Sequence, residues 1–178
     1  PFNKFPEESV FLSPEMKSTG EVMGISKTLG ESFRRASISA GDIIPTEGNV
    51  FISVNDKDKG NIIPIARDLV EIGFNILATF GTAKELEKNG LEVISVFKAG
   101  EGRPNIIDEI KNENIQLVIN TPMGARSRYD EESIGRACIQ KNILTVTTLS
   151  GADAVIRAIR LSSKKIEVTS IQEYHNKI

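Results

Sequence analysis

Cysteine and histidine are almost missing from this sequence: Cys138 and His175 occur once each among 178 residues. A single thiol excludes an internal disulfide and fits a reducing cytosol, so a cytoplasmic location is expected. With so few soft ligands, no His/Cys cluster has metal-ligand spacing. His175 lies near the tail, where a histidine is more often surface decoration than a general base. Cys138 falls on a helical face beside Ile134 and reads as a small buried hydrophobe. Long apolar runs are missing as well. Stretches such as Leu117-Val118-Ile119 are far too short to cross a bilayer, and the first residues mix Pro, Lys and Glu without the apolar stretch of a secretory signal. The formal net charge is only −2. It gives no general attraction to nucleic acid or membrane, so any anion site must be local.

What is present is a soluble globular composition, 39% hydrophobic and 26% charged, rich enough in apolar residues for a real core. The length suits one ordinary domain plus a shorter flanking segment. The chain opens on Pro1 rather than Met and is expected to be a piece of a longer polypeptide. No internal repeat or low-complexity tract is visible.

Texture divides the chain near Asn49. Residues 1–49 are rich in Pro, Gly, Ser and Glu. They carry one helical stripe, Ile25, Leu29, Phe33 and Ala36, which ends near Ser39-Ala40-Gly41. Apart from that helix, this segment is expected to be extended or poorly packed. Residues 50–178 alternate short apolar runs with helical patterns. Strands are expected at Val50–Val54, Phe74–Ala78, Glu92–Val96, Leu117–Asn120 and Ile143–Val146. Helices are expected around Ile62–Val70, closed by Gly73, then at Ala83–Asn89, Asn105–Lys111, Glu131–Lys141 and Ala152–Leu161. Pro64 is tolerable if its helix begins one or two residues before it. The fold class is therefore α/β, a five-stranded parallel sheet flanked by helices. In such sheets ligands collect beyond the carboxyl ends of the strands, where strand order reverses.

Four segments sit at those expected strand ends. Ala78-Thr79-Phe80-Gly81-Thr82-Ala83 offers two hydroxyls, a glycine and the free N–H groups of a helix start, which suit a phosphate. Thr82 with Glu85 equally fits a capping box, which needs no ligand. Lys98-Ala99-Gly100-Glu101-Gly102-Arg103-Pro104 reads as an anion clamp or as a solvated turn, with Pro104 ready to start a helix. Asn120-Thr121-Pro122-Met123-Gly124 offers hydrogen bonds to a sugar or base, or is a polar turn. In Thr147-Thr148-Leu149-Ser150-Gly151, Ser150 is expected to cap the last helix. Each signal is weak alone; the fold would gather all four on one rim. The Arg126-Ser127-Arg128 run reads as a solvated loop able to screen an anion. Glu131 and Glu132 suit a helix dipole.

Longer motifs carry a resemblance. Pro1-Phe2-Asn3-Lys4-Phe5 and Ser13-Pro14-Glu15-Met16-Lys17-Ser18-Thr19-Gly20-Glu21-Val22-Met23-Gly24 resemble the end of the second ATP-grasp synthetase unit of carbamoyl phosphate synthase large subunits. Ala78-Thr79-Phe80-Gly81-Thr82, Gly102-Arg103-Pro104 and Thr147-Thr148-Leu149 resemble the allosteric domain that follows it, of the methylglyoxal synthase-like, Rossmann-type fold. The resemblance implies a tail of the synthetase unit and linker over residues 1–49 and the allosteric domain over 50–178.

It implies a whole enzyme, an ATP-dependent ligase, that makes carbamoyl phosphate from bicarbonate, glutamine-derived ammonia and two ATP for pyrimidine and arginine synthesis. ATP, magnesium and potassium ions serve that full-length enzyme; for this piece no catalytic residue, metal site or cofactor is implied. Implied partners are the rest of the large subunit, the glutaminase small subunit and a nucleotide effector, UMP or IMP, with a homo-oligomer also open and neither nucleic acid nor membrane expected. Matched position by position, Lys59, Thr79, Thr82 and Lys98 hold the effector phosphate, and Ser53, Asn120 and Thr121 the nucleoside. Thr147 matches a contact to ornithine, another effector. The sequence departs from the pattern at Pro122, where a hydroxyl residue is expected, and at Thr145, which replaces an aromatic contact. Two other readings stand beside this one. A methylglyoxal synthase-type phosphate lyase would need aspartates and a histidine that these loops lack. A purely structural, oligomer-contact domain would need no anion site.

Overall fold

A computed structural model describes residues 22–121 and 128–176. The expectations for Pro1–Gly20, for Pro122, Met123 and Gly124, and for Arg126 and Ser127 lie outside the described residues. The apolar runs become strands β1 (Gly48–Ser53), β2 (Phe74–Thr79), β3 (Val93–Val96), β4 (Leu117–Asn120) and β5 (Leu144–Val146). They are joined and followed by helices α1 (Leu29–Ala40), α2 (Lys59–Ile72), α3 (Phe80–Lys88), α4 (Ile106–Lys111), α5 (Arg128–Lys141), α6 (Leu149–Arg160) and α7 (Ile171–His175). Every ladder is parallel and the strand order is β3-β2-β1-β4-β5. The five-stranded parallel sheet read from the sequence is what the chain forms.

Period-two alternation explains the two-sided core. In β1, Val50 and Ile52 join Ile62, Ala66 and Leu69 of α2, Leu86 of α3 and Val155, Ile156 and Ile159 of α6. Phe51 points the other way. With Leu77 and Val118 it packs on Ile106 and Ile110 of α4 and on Ile134 and Cys138 of α5. Register fixes this: Ile52 pairs with Ala78 of β2 and with Ile119 of β4, so equivalent faces meet across the sheet. Burying each large side chain of this set contributes about 1.5–3 kcal/mol relative to exposure. Steps from β1 to β2 to β3 run one way across the sheet, and the step from β4 to β5 runs the other. Keeping one handedness for all crossovers then puts α2 and α3 on one face and α4 and α5 on the opposite face, as found.

The segment before β1 is tied to the end of the chain. Thr28 caps α1 and left-handed Gly41 ends it. Gly30 lies so close to α6 that a Cβ there would come within 2.8 Å of the Arg157 backbone oxygen. Arg34 donates to the carbonyls of Ser162 and Lys164, at 2.9 and 2.8 Å, and Phe33 packs against the core.

Several local expectations are corrected. Pro64 stands well inside α2, which begins at Lys59. The N–H that proline lacks would have met the Gly60 carbonyl, which lies in an exposed first turn where water can take its place. Pro104 does not start α4. Asn105 caps it, accepting from the Ile107 and Asp108 N–H groups, and Asp108 accepts in return from the Asn105 N–H. Ser150 does not cap α6 either; the hydroxyl of Thr148 accepts from the Gly151 N–H at 3.1 Å, and Ser150 donates to that same hydroxyl. α7, capped by Ser170 and Glu173, was not expected; it carries His175, which is exposed.

Cys138 is 1% exposed, and burial pushes its thiol from 9.0 up to about 11. The folded state thus favours the protonated thiol. That contribution is fully present below pH 9 and is lost as pH rises towards 11. At pH 8 native protein should resist iodoacetamide for hours while protein unfolded in urea is alkylated within minutes, as followed by intact-mass spectrometry. Rapid native labelling would mean that the Cys138 thiol is open to solvent in the folded protein.

Candidate functional site

Strand order reverses around β1: the chain leaves β1 for α2 on one face and leaves β4 for α5 on the other. The carboxyl ends of two strands at such a reversal are where a parallel sheet offers a crevice. Ser53, at the end of β1, pairs in register with Asn120, at the end of β4. Both are buried, as are Thr79, Thr82 and Thr121. Five buried polar side chains in one place need partners, and none of the described buried side-chain polar atoms lacks one.

The hydrogen bonds show how the crevice is built. The Thr121 N–H donates to the Ser53 carbonyl at 3.0 Å, which extends the β1–β4 ladder by one residue. The Thr121 hydroxyl then accepts from the backbone N–H of Asn55 at 3.1 Å and from its side-chain amide at 3.2 Å. Asn55 also donates to Asp58 at 2.6 Å, and its side-chain oxygen accepts from the Lys57 and Asp58 N–H groups. This asparagine turn fixes how the chain leaves β1 for α2. On the other side, the Thr82 hydroxyl accepts from the Val54 N–H and from the Thr79 hydroxyl, each at 3.4 Å. Thr82 thus links the end of β1 to the start of α3.

This overturns the capping box expected at Thr82 and Glu85. α3 begins at Phe80, its cap position is Thr79, and Thr82 lies in its first turn. Glu85 instead pairs loosely with Lys88, at 3.5 Å. The Thr79 side chain makes no capping hydrogen bond, and the first turn of α3 has no acidic residue. The N–H groups and the positive dipole end of α3 are therefore left without a side-chain acceptor from their own turn.

The ammonium group of Lys59 approaches that end. The Lys59 Nζ lies over Gly81, where a Cβ would stand 3.3 Å from it, so glycine leaves the room that the lysine needs. Lys59 also pairs with the exposed Asp56 at 2.6 Å. That contact, with a smaller contribution from Lys98, holds the Asp56 carboxyl below the usual carboxylate range. Lys98 itself faces Glu101 at 3.9 Å. Its loop is held shut from below: Asn105 donates to the carbonyls of Ala99 and Gly102, and the Ile106 N–H to that of Phe97. Gly102 lies against the Phe97 ring, and the Phe80 ring meets Phe97 edge-on at 5.3 Å.

The structure accordingly brings together Ser53, Lys59, Thr79, Thr82, Lys98, Asn120 and Thr121. Thr147 is set apart: it follows β5 at the edge of the sheet, with β4 between it and β1. Asn55, Asp56 and Asn105 were missed in the sequence. A turn-forming Asn-x-x-Asp directly after an apolar strand, Asn55 to Asp58, was the available signal for Asn55.

A scan of protein families matches residues 61–147 to the MGS-like domain. Among curated proteins, the chain is 49% identical over 98% of its length to a carbamoyl phosphate synthase large chain of Acidobacterium capsulatum and 47% identical, again over 98%, to one of Archaeoglobus fulgidus. It is 46% identical over 99% of its length to a protein of Aquifex aeolicus named as the C-terminal section of that large chain. It spans 16% of the length of the first two and 34% of the third.

Replacing Thr82 by valine keeps its shape and removes the acceptor of the buried Val54 N–H. A loss of about 1 kcal/mol in unfolding free energy is expected, at the low end for an unsatisfied buried donor because the bond is long. Urea unfolding measures it. An unchanged midpoint would mean that the hydroxyl does not tie α3 to the end of β1.

Proposed function

The chain contains an MGS-like domain and is homologous along nearly its whole length to carbamoyl phosphate synthase large chains; on that premise we propose that it is the regulatory C-terminal part of such a chain, binding UMP or IMP. The observation that carries this reading is Lys59 laid against the uncapped first turn of α3 beside β1, with Lys98 near enough to act on the same Asp56 carboxylate. In a chain of net charge −2 this is a local positive site, and a phosphate is the ligand whose shape and charge use all of it.

Lys59 and Lys98 supply charge in this reading, and the α3 N–H groups supply oriented donors. A hydroxyl has one proton to give and two lone pairs. Both acceptor positions of Thr82 are taken by Val54 and Thr79, so its proton remains for a phosphate oxygen. Ser53, Asn120 and Thr121 line the neighbouring crevice and take the nucleoside. Carbamoyl phosphate synthesis, its ATP, magnesium and potassium, and the contact with a glutaminase small subunit belong to the longer protein. Among the described residues no three acidic, His or Cys side chains come together to hold a metal.

Calorimetric titration of UMP and IMP into the chain tests the reading. Lys98→Ala should cost about 1.5–3 kcal/mol of binding, on the order of tenfold to a hundredfold in affinity. Equal affinity in parent and variant would place the phosphate elsewhere. Turnover of a triose phosphate would favour a phosphate lyase instead. Self-association without nucleotide binding would favour an oligomer-contact role.

A further inference from the structure

Each lysine of the crevice already faces a carboxylate three residues away along its own stretch of chain. Lys59 contacts Asp56 at 2.6 Å and Lys98 faces Glu101 at 3.9 Å. The partners differ in kind. Asp56 is 87% exposed while Lys59 is 27% exposed, so the lysine is the group fixed in the wall and the aspartate is the group free to leave. Asp56 also stands at the bend between the end of β1 and α2, on the Asn55 turn that faces β4. We infer that Asp56 is a built-in counter-anion of the phosphate site, which an incoming ligand must displace from Lys59, and that it lowers the affinity of the site for every anion it admits.

The penalty follows from charge. Asp56 brings one negative charge to Lys59, and Lys98 acts on the same carboxylate from further away. Any anion that takes its place gives up the same contact, so the cost is common to all of them. A phosphate monoester at pH 8 carries close to two charges and three terminal oxygens, and its own stronger attraction to the lysines and the first turn of α3 is what repays that cost. Exposed carboxylate–lysine pairs are individually weak, which keeps the effect small enough for the ligand to win.

This inference rests on the phosphate reading of the crevice, and the test separates the two. UMP and its phosphate methyl ester are titrated at pH 8 into the parent chain, Asp56→Asn and Glu85→Gln. The last removes the same charge from α3 beyond its first turn. Asp56→Asn should bind UMP about two- to fivefold more tightly than the parent, and the methyl ester should tighten by a similar factor, since either ligand gives up the same contact. Glu85→Gln should bind as the parent does. If the parent binds UMP and Asp56→Asn binds it equally or more weakly, the counter-anion role is wrong and the phosphate site stands. If both carboxylate variants tighten binding alike, only net charge is at work and Asp56 has no special place. If neither the parent nor Asp56→Asn binds UMP, the phosphate site falls and the inference with it.

Discussion

β1 is hydrogen-bonded to β2 on one side and to β4 on the other, and both of its faces are covered by helices. A parallel strand in that position has no solvent edge, so its only outlet is its carboxyl end. There the chain turns into α2 on one face, while α5, the next helix after β4, packs on the opposite face. The crevice between them is a consequence of strand order and handedness and needs no special loop. The Thr121 N–H bond to the Ser53 carbonyl closes the floor of that crevice, and Asn55 pins its rim.

Electrostatics complete what topology begins. The positive end of α3 points at the crevice because β2 delivers the chain there at Thr79, and its first turn holds no carboxylate. Gly81 allows Lys59 to lie against the same turn. The clasp of Asn105 on the 98–105 loop, together with the Phe97 ring beneath Gly102, holds the arm that carries Lys98. Rigid backbone contacts therefore carry the site's charges, which lowers the ordering cost of meeting an anion.

Much of this was legible in the residues. β1, β2 and β4 are short β-branched and apolar runs followed by polar turns, so their carboxyl ends could be placed almost to the residue. Left-handed Gly41 and Gly73 marked the ends of α1 and α2. The start of α3 was not legible. Thr79 and Thr82 are both threonines before a helical stripe, and only the sheet register, which carries β2 through Thr79, decides which one stands at the cap. Pro64 misled because helix interiors usually exclude proline, whereas its missing donor falls here on an exposed carbonyl. Asp56 was invisible because nothing in sequence separates a solvated aspartate from one laid against the lysine of a site. α7 was signalled by Ser170 and Glu173 at capping-box spacing, on a segment too short for its periodicity to register.

The central claim is that the end of β1, the end of β4 and the first turn of α3 form one nucleotide-binding crevice. Amide chemical-shift mapping by two-dimensional NMR during a UMP titration tests it most directly. The account predicts saturable shifts at Val54, Gly81, Thr82, Lys98 and Thr121, with little change at Ile43, Gln116 and Asn142 at the opposite end of the sheet. Shifts confined to that opposite end, or none at all at saturating UMP, would contradict it.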